Sequence, residues 1–353
     1  MTGDGAELGS CLVTGGAGYL GRHLAAELMR RGHPVRAFDV REDAAWPSGA
    51  EVVVGDVTRY DEVLAACEGI DTVFHTAAQL VFLTFCTPEI RRRAHGVNVG
   101  GVANVVGAAA EAGVSRLIHT SSNNVTLDDP VVDGDESTPY AYGARDIYTE
   151  TKIRGEQIAL GANDKTGLLT CAVRPGGIYG PGDPLMLPRL VEQLRRGVFV
   201  ATIGDGSALS DNTFIDNLVD GEICAARHLV PESAACGQAY YVTDGAPINY
   251  FEFFRPFVEG LGYRFPRWTM PVWPMRGVAW LGELLHVYLG LPAPPLSRLE
   301  LIKIVVSHYN RIDKARRDLG WEPPVSPAAA VERCLPYCRE LLEGANDTSP
   351  RLG

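Results

Sequence analysis

The segment Tyr148-Thr149-Glu150-Thr151-Lys152 sets a phenol and an ammonium four residues apart, one turn apart on the same face of a helix. A nearby ammonium favours phenolate and draws a tyrosine down from its usual value of about 10. Tyr148 could then take the proton of an alcohol while hydride leaves the same carbon for a nicotinamide ring. Alone, the pair is usually a solvated helix face. Its context is Thr120-Ser121-Ser122, which closes an apolar run about two dozen residues earlier. In an open parallel sheet, residues just past the carboxyl ends of strands line the ligand crevice. Ser122 is therefore expected to hold the substrate oxygen beside Tyr148, with Ser121 as the alternative. The competing role for Ser122 is a turn-capping hydroxyl.

A second constellation sits at the N-terminus. Thr14-Gly15-Gly16-Ala17-Gly18-Tyr19-Leu20-Gly21 follows an apolar run and opens a helical pattern. Glycines at these spacings permit a tight turn, a close approach of backbone to a pyrophosphate, and close helix–strand packing. The helix N-terminus then offers amides to the phosphates. Gly15, Gly18, Tyr19, Leu20 and Gly21 are expected at the cofactor. Asp39 ends the second strand, where a carboxylate would accept bonds from the ribose hydroxyls and repel a 2'-phosphate, favouring NAD; Arg41 keeps NADP open. Asp56 and Val57 follow the third strand, and Ala77 and Ala78 the fourth. Ser121, Tyr148 and Lys152 are counted with the same wall.

Short apolar runs at 10–14, 34–38, 51–54, 72–75, 116–120, 168–174 and 240–243 alternate with helical patterns at 19–31, 97–112 and 147–160. This predicts an α/β fold: a Rossmann-type doubly wound parallel sheet with a smaller, mainly helical C-terminal substrate lobe. The expected division is a nucleotide domain over 8–180 with returning segments about 211–245, and a substrate lobe from 181–210 and 246–345. The Pro- and Gly-rich run from Pro175 to Pro184 reads as a loop. The chain has 353 residues, 46% apolar and 21% charged, with net charge -11; such acidity disfavours nucleic acid as a partner. No basic-then-apolar leader and no long uninterrupted apolar span is visible, so a cytoplasmic protein is expected, ordered except at its two polar ends. The eight cysteines read as free thiols, and Cys334 with Cys338 lacks the further ligands of a metal site.

Together these motifs resemble the extended short-chain dehydrogenase/reductases, and within them the 3β-hydroxysteroid dehydrogenase branch, bacterial cholesterol dehydrogenases in particular. The likeness runs on through Val97-Asn98-Val99-Gly100-Gly101, Arg174-Pro175-Gly176-Gly177-Ile178-Tyr179-Gly180-Pro181-Gly182 and Phe214-Ile215-Asp216-Asn217. It implies Tyr148 as acid/base, Lys152 on the nicotinamide ribose, Ser122 on the substrate oxygen, Pro175 beside the carboxamide, and Asn98 as a structural or relay residue counted with the cofactor set. Gly101 departs from the Thr usual there and is expected to loosen a helix bond. The implied reaction is NAD-dependent oxidation of a 3β-hydroxysteroid, with Δ5-to-Δ4 isomerisation left open. The alternatives are a decarboxylating 4α-carboxysterol dehydrogenase, a 2-alkyl-3-oxoacid reductase, a sugar-nucleotide epimerase or dehydratase, and an NAD-sensing protein without catalysis. Phe265 to Pro295, rich in Trp, Met and Leu, reads as lobe core, as an apolar cleft for a fused-ring lipid, or as a peripheral membrane contact. Family analogy adds a homodimer.

Overall fold

Val, Ile, Leu and Phe dominate the N-terminal apolar runs, and turn residues bound them, so they fold as strands. The structure, a computed structural model, describes residues 6–347 apart from 43, 44, 82, 128, 129, 144, 145, 293 and 295. Most of the two polar ends, and positions 293 and 295 of the aromatic stretch, lie outside the described residues.

Seven strands form one sheet in the spatial order Gln238–Val242, Leu169–Pro175, Arg116–Thr120, Thr72–His75, Cys11–Thr14, Val35–Asp39, Glu51–Val54. Every pairing is parallel. Consecutive strand residues point to opposite faces, and both faces are buried except along the edge strand Glu51–Val54. Leu12, Val73 and Leu117 pack toward Tyr60–Cys67, Val102–Glu111 and Ile147–Gly161; Val13, Phe74 and Ile118 pack toward Tyr19–Arg30 and Ile215–His228. Strand order reverses between Cys11–Thr14 and Thr72–His75, which opens a crevice beyond their carboxyl ends.

Two local expectations need correction. The helix expected over 97–112 begins earlier: Thr87 caps the Ile90 amide, Pro88 occupies the first turn, and Pro88–His95 continues through a π-helical stretch, Gly96–Gly101, into Val102–Glu111. Its first turns carry Arg91, Arg92 and Arg93 and so lack the apolar period that marks a helix. Gly101 ends the π-helical stretch, and a Cβ there would lie 2.8 Å from Val57 Cγ2. The run from Pro175 to Pro184 is not all loop: Gly177–Tyr179 pairs in parallel with Asn212–Phe214. The Tyr60–Cys67 helix, eight residues long, is too short for its period to stand out.

Past the sheet, Met186–Arg195, Tyr250–Gly260, Val272–Leu289, Arg298–Val305 and Pro327–Asp347 are helical. Phe253, Phe254 and Phe257 join the core under Tyr240 and Tyr241. In Val272–Leu289, by contrast, the buried residues are Ala279 and Glu283, while Trp273 is 77% and Tyr288 71% exposed. That helix is therefore surface more than core. Among the described residues no helix is long and apolar enough to cross a membrane.

A buried ion pair ties Ile147–Gly161 to the sheet. Arg174 donates to Glu156 through Nε at 3.0 Å and Nη2 at 2.6 Å. Tyr140 donates to the same carboxylate at 2.7 Å. The guanidinium lies 5.5 Å and 5.3 Å from the ring centroids of Tyr140 and Tyr241. Glu156→Gln would strand a buried cation, so chemical denaturation should show a loss of about 3–5 kcal/mol; a loss within error of zero would mean that the pair is not a structural tie.

Candidate active site

The glycine turn leaves no room for side chains. A Cβ at Gly15 would lie 2.9 Å from the Ala77 backbone, at Gly16 2.8 Å from Ala37 Cβ, at Gly18 2.9 Å from the Gly15 carbonyl, and at Gly21 2.1 Å from that same oxygen. Gly15 also adopts φ 71°, the left-handed region that favours glycine. No side chain caps the helix at Gly18, so its first-turn amides are left for an anion. A bare cradle at the point where strand order reverses fits the pyrophosphate of a dinucleotide.

One large cavity of about 1690 Å³ runs past this cradle. Gly15, Gly18, Tyr19, Leu20, Gly21, Asp39, Asp56, Val57, Ala77, Ala78, Ser121, Ser122, Tyr148, Lys152 and Pro175 all line it. Asn98 does not. Its amide is spent on structure: Oδ1 accepts from the Gln79 amide at 2.7 Å, and Nδ2 donates to the Gln79 carbonyl and to Thr151 Oγ1, both at 3.0 Å. Asn98 thus braces the π-helical turn against the Tyr148 helix. Asp39, 7% exposed, accepts from the Ala17 amide at 3.2 Å. Arg41 is folded onto that carboxylate through Nε at 3.0 Å and Nη2 at 3.1 Å. Asp56 accepts from the Thr58 amide at 2.9 Å.

At the sheet rim, Asp146 caps the Ile147–Gly161 helix through the Thr149 amide at 2.8 Å. This starts the helix so that Tyr148 and Lys152 share its inward face, both buried. Ser122 has both roles weighed from sequence: its Oγ accepts from the Asn124 amide at 3.2 Å, capping the turn over Asn123–Thr126, and it hydrogen-bonds the Tyr148 phenol. Lys152 Nζ donates to the Thr120 carbonyl at 2.6 Å. The expected fall of the Tyr148 phenol is not what the structure shows. Burial pushes it up to about 12, against the Ser122 bond and aided by Asp146. Burial likewise pulls Lys152 down to about 8, opposed by Glu156 and Glu222. Desolvation is the largest influence on both groups, and the four-residue spacing does not reveal it.

Beyond Tyr148 the cavity becomes a chamber walled by Met186, Phe199, Tyr250, Phe254, Met270 and Leu299, with Arg189, Arg196, Glu300 and Lys303 also in its lining. The whole space exceeds the roughly 300–1,000 Å³ of a usual small-molecule pocket, as a dinucleotide with a second, bulky apolar ligand requires. Among the ionisable residues outside the motifs, Lys303 and Glu222 are buried close to the site. Lys303 lines the chamber, and burial pulls its ammonium down against Asp146 and Glu300. Glu222, fully buried on Ile215–His228, accepts from Thr120 Oγ1 at 2.5 Å. A signal for Glu222 existed: it interrupts the apolar stripe of Leu218, Val219, Ala225 and Ala226.

The model of the 3-beta hydroxysteroid dehydrogenase/isomerase family matches residues 12–272. A 3 beta-hydroxysteroid dehydrogenase/Delta 5-->4-isomerase of Mycobacterium tuberculosis is 44% identical over 342 residues, covering 96% of this chain and 92% of that protein. The mouse decarboxylating sterol-4-alpha-carboxylate 3-dehydrogenase is 35% identical, covering 95% and 92%. Among solved structures, a short-chain dehydrogenase/reductase superfamily protein of Agrobacterium tumefaciens with bound NAD superposes with a TM-score of 0.71 at 20% identity, covering 96% and 99%.

Gly21→Ala must unseat the turn. Fluorescence titration with reduced dinucleotide should show affinity weakened about tenfold or more; undiminished binding would remove this crevice as the cofactor site.

Proposed function

The chain belongs to the 3-beta hydroxysteroid dehydrogenase/isomerase family, and from that premise we propose that it oxidises the 3β-hydroxyl of a steroid to the ketone with NAD as acceptor. The observation that carries this is the position of Ser122, Tyr148 and Lys152 where the glycine crevice meets the apolar chamber. The bound dinucleotide supplies the hydride acceptor. Ser122 holds the substrate hydroxyl, and Tyr148 takes its proton as the carbon–hydrogen bond breaks. Lys152 keeps a positive charge one turn from the phenol, which favours the phenolate that must form. The apolar side chains of the wall suit a ring system, although Arg189, Arg196 and Lys303 also line the cavity, so the sterol class rests on the family and not on a want of cations.

Asp39 supports NAD over NADP, since a second anion beside its carboxylate is repelled. Arg41 is paired to Asp39 and so leaves that preference finite. The name of the Mycobacterium tuberculosis relative includes a Δ5-to-Δ4 isomerase. That second step calls for another proton-transfer group in the chamber, and Lys303 is our candidate. Accumulation of the unconjugated ketone without enone absorbance would limit the enzyme to oxidation.

We also assign the exposed aromatic face a lipid-surface role. Trp268 is 80% and Trp273 77% exposed, while Met270 and Met275, in the same segment, line the chamber. Indole rings favour the headgroup level of a bilayer, so a sterol could pass from lipid to chamber along this edge. Trp268→Ser with Trp273→Ser should reduce sedimentation with phosphatidylcholine vesicles without changing turnover of a water-soluble steroid; equal sedimentation would discard the role.

Tyr148→Phe keeps the ring but loses the proton acceptor. It should bind dinucleotide normally and lose about 10²-fold or more in turnover with dehydroepiandrosterone or cholesterol. Full turnover by this variant would overturn the mechanism, and turnover of a nucleotide sugar alone would overturn the substrate class.

A further inference from the structure

A buried ammonium needs a counter-charge, and the surroundings of Lys152 narrow which group supplies it. Glu156, one turn further along the same helix, is matched by Arg174. His75 and His119 stack with centroids 5.4 Å apart, and both are held neutral, by burial first and then by Lys152 itself. Cys171 on the next strand is kept protonated by burial. Asp146 is engaged with the helix N-terminus and acts on Tyr148. Among the described groups acting on Lys152, the carboxylate left is Glu222.

The route between them follows from strand alternation. His119 faces the Ile147–Gly161 side, where a Cβ on Gly155 would lie 3.7 Å from its Nε2. Thr120, the next residue, faces the opposite side and donates its hydroxyl to Glu222 Oε1 at 2.5 Å. Its carbonyl, at the strand end, accepts from Lys152 Nζ at 2.6 Å. Thr120 therefore touches the cation with its main chain and the anion with its side chain. Glu222 Oε2 has no hydrogen-bond partner among the described residues, and Lys152 is the charge that acts on this carboxyl.

We propose that Glu222 is a positioning residue for the reaction: through Thr120 and across the sheet, its carboxylate is the counter-charge that holds Lys152 as an ammonium one turn from Tyr148. This rests on the roles given above to Tyr148 and Lys152. Burial lifts the Glu222 carboxyl to about 7, against the Thr120 bond and the Lys152 charge. Removing a negative charge makes proton loss easier for both Lys152 and Tyr148. Both then shift to lower pH.

The chain has four lysines, Lys152, Lys165, Lys303 and Lys314, few enough for isotope-labelled lysine to be followed by NMR, with Lys152→Met identifying the signal. In Glu222→Gln the Lys152 midpoint should fall by about half a unit to one unit. Both limbs of the pH profile of kcat/KM for alcohol oxidation should move the same way, and Glu222→Asp should recover part of the shift. A packing role would lower Tm and leave the midpoint in place, and an unmoved midpoint in folded Glu222→Gln overturns the proposal. If that variant does not fold, Thr120→Val keeps the carbonyl and removes the bond that favours ionised Glu222. The midpoint must then fall in the same direction, and its constancy is equally fatal. A moved midpoint without steroid turnover by the native enzyme would count against the substrate assignment alone and support the counter-charge.

Discussion

A carboxylate and a guanidinium shut away from water remain charged only together, and Glu156 with Arg174 is that pair here. Its position gives it reach. Glu156 lies one helical turn after Lys152, and Arg174 lies one residue before Pro175. Tyr241 receives a bond from Arg174 at 3.3 Å and shares another with Thr126 at 3.0 Å, in the turn that Ser122 caps. The helix bearing the phenol, the strand end bearing Pro175 and the turn bearing Ser122 are thus indexed to one another by a dry polar cluster below the cavity. Groups that must meet a substrate within tenths of an ångström need such backing.

The doubly wound sheet divides labour. Backbone amides and bare glycine surface sit where strand order reverses, suited to phosphates. Side chains of the added helices make a chamber with a largely apolar wall and a few charged groups, Arg189, Arg196, Glu300 and Lys303 among them. Ser122 and Tyr148 occupy the seam between these two environments, where an alcohol presented from one side faces an acceptor presented from the other. Desolvation at the seam pushes the phenol up and the ammonium down, so charge placed deeper in the protein weighs more than it would in water.

Much of this was legible in the residues. The strand runs, the glycine turn and the Tyr148–Lys152 face depend on local pattern, which sequence displays. Other features depend on what lies across space. Asn98 belongs to a conspicuous motif, yet its amide is consumed by Gln79 and Thr151. Glu222 lies in no motif, yet tertiary packing brings it beneath Thr120. The direction of the Tyr148 shift follows from burial, which four-residue spacing does not encode. The aromatic stretch suited a core or a surface equally well by composition, and the packing around Val272–Leu289 is what places most of it at the surface.

The fit between Gly101 and Val57 carries an evolutionary corollary. With 2.8 Å between a hypothetical Cβ and the valine methyl, the two positions share one volume. A lineage restoring a larger residue at 101 would have to trim 57 in the same stroke. Since Val57 also lines the crevice, such an exchange would reshape the crevice wall from a position inside a neighbouring helix.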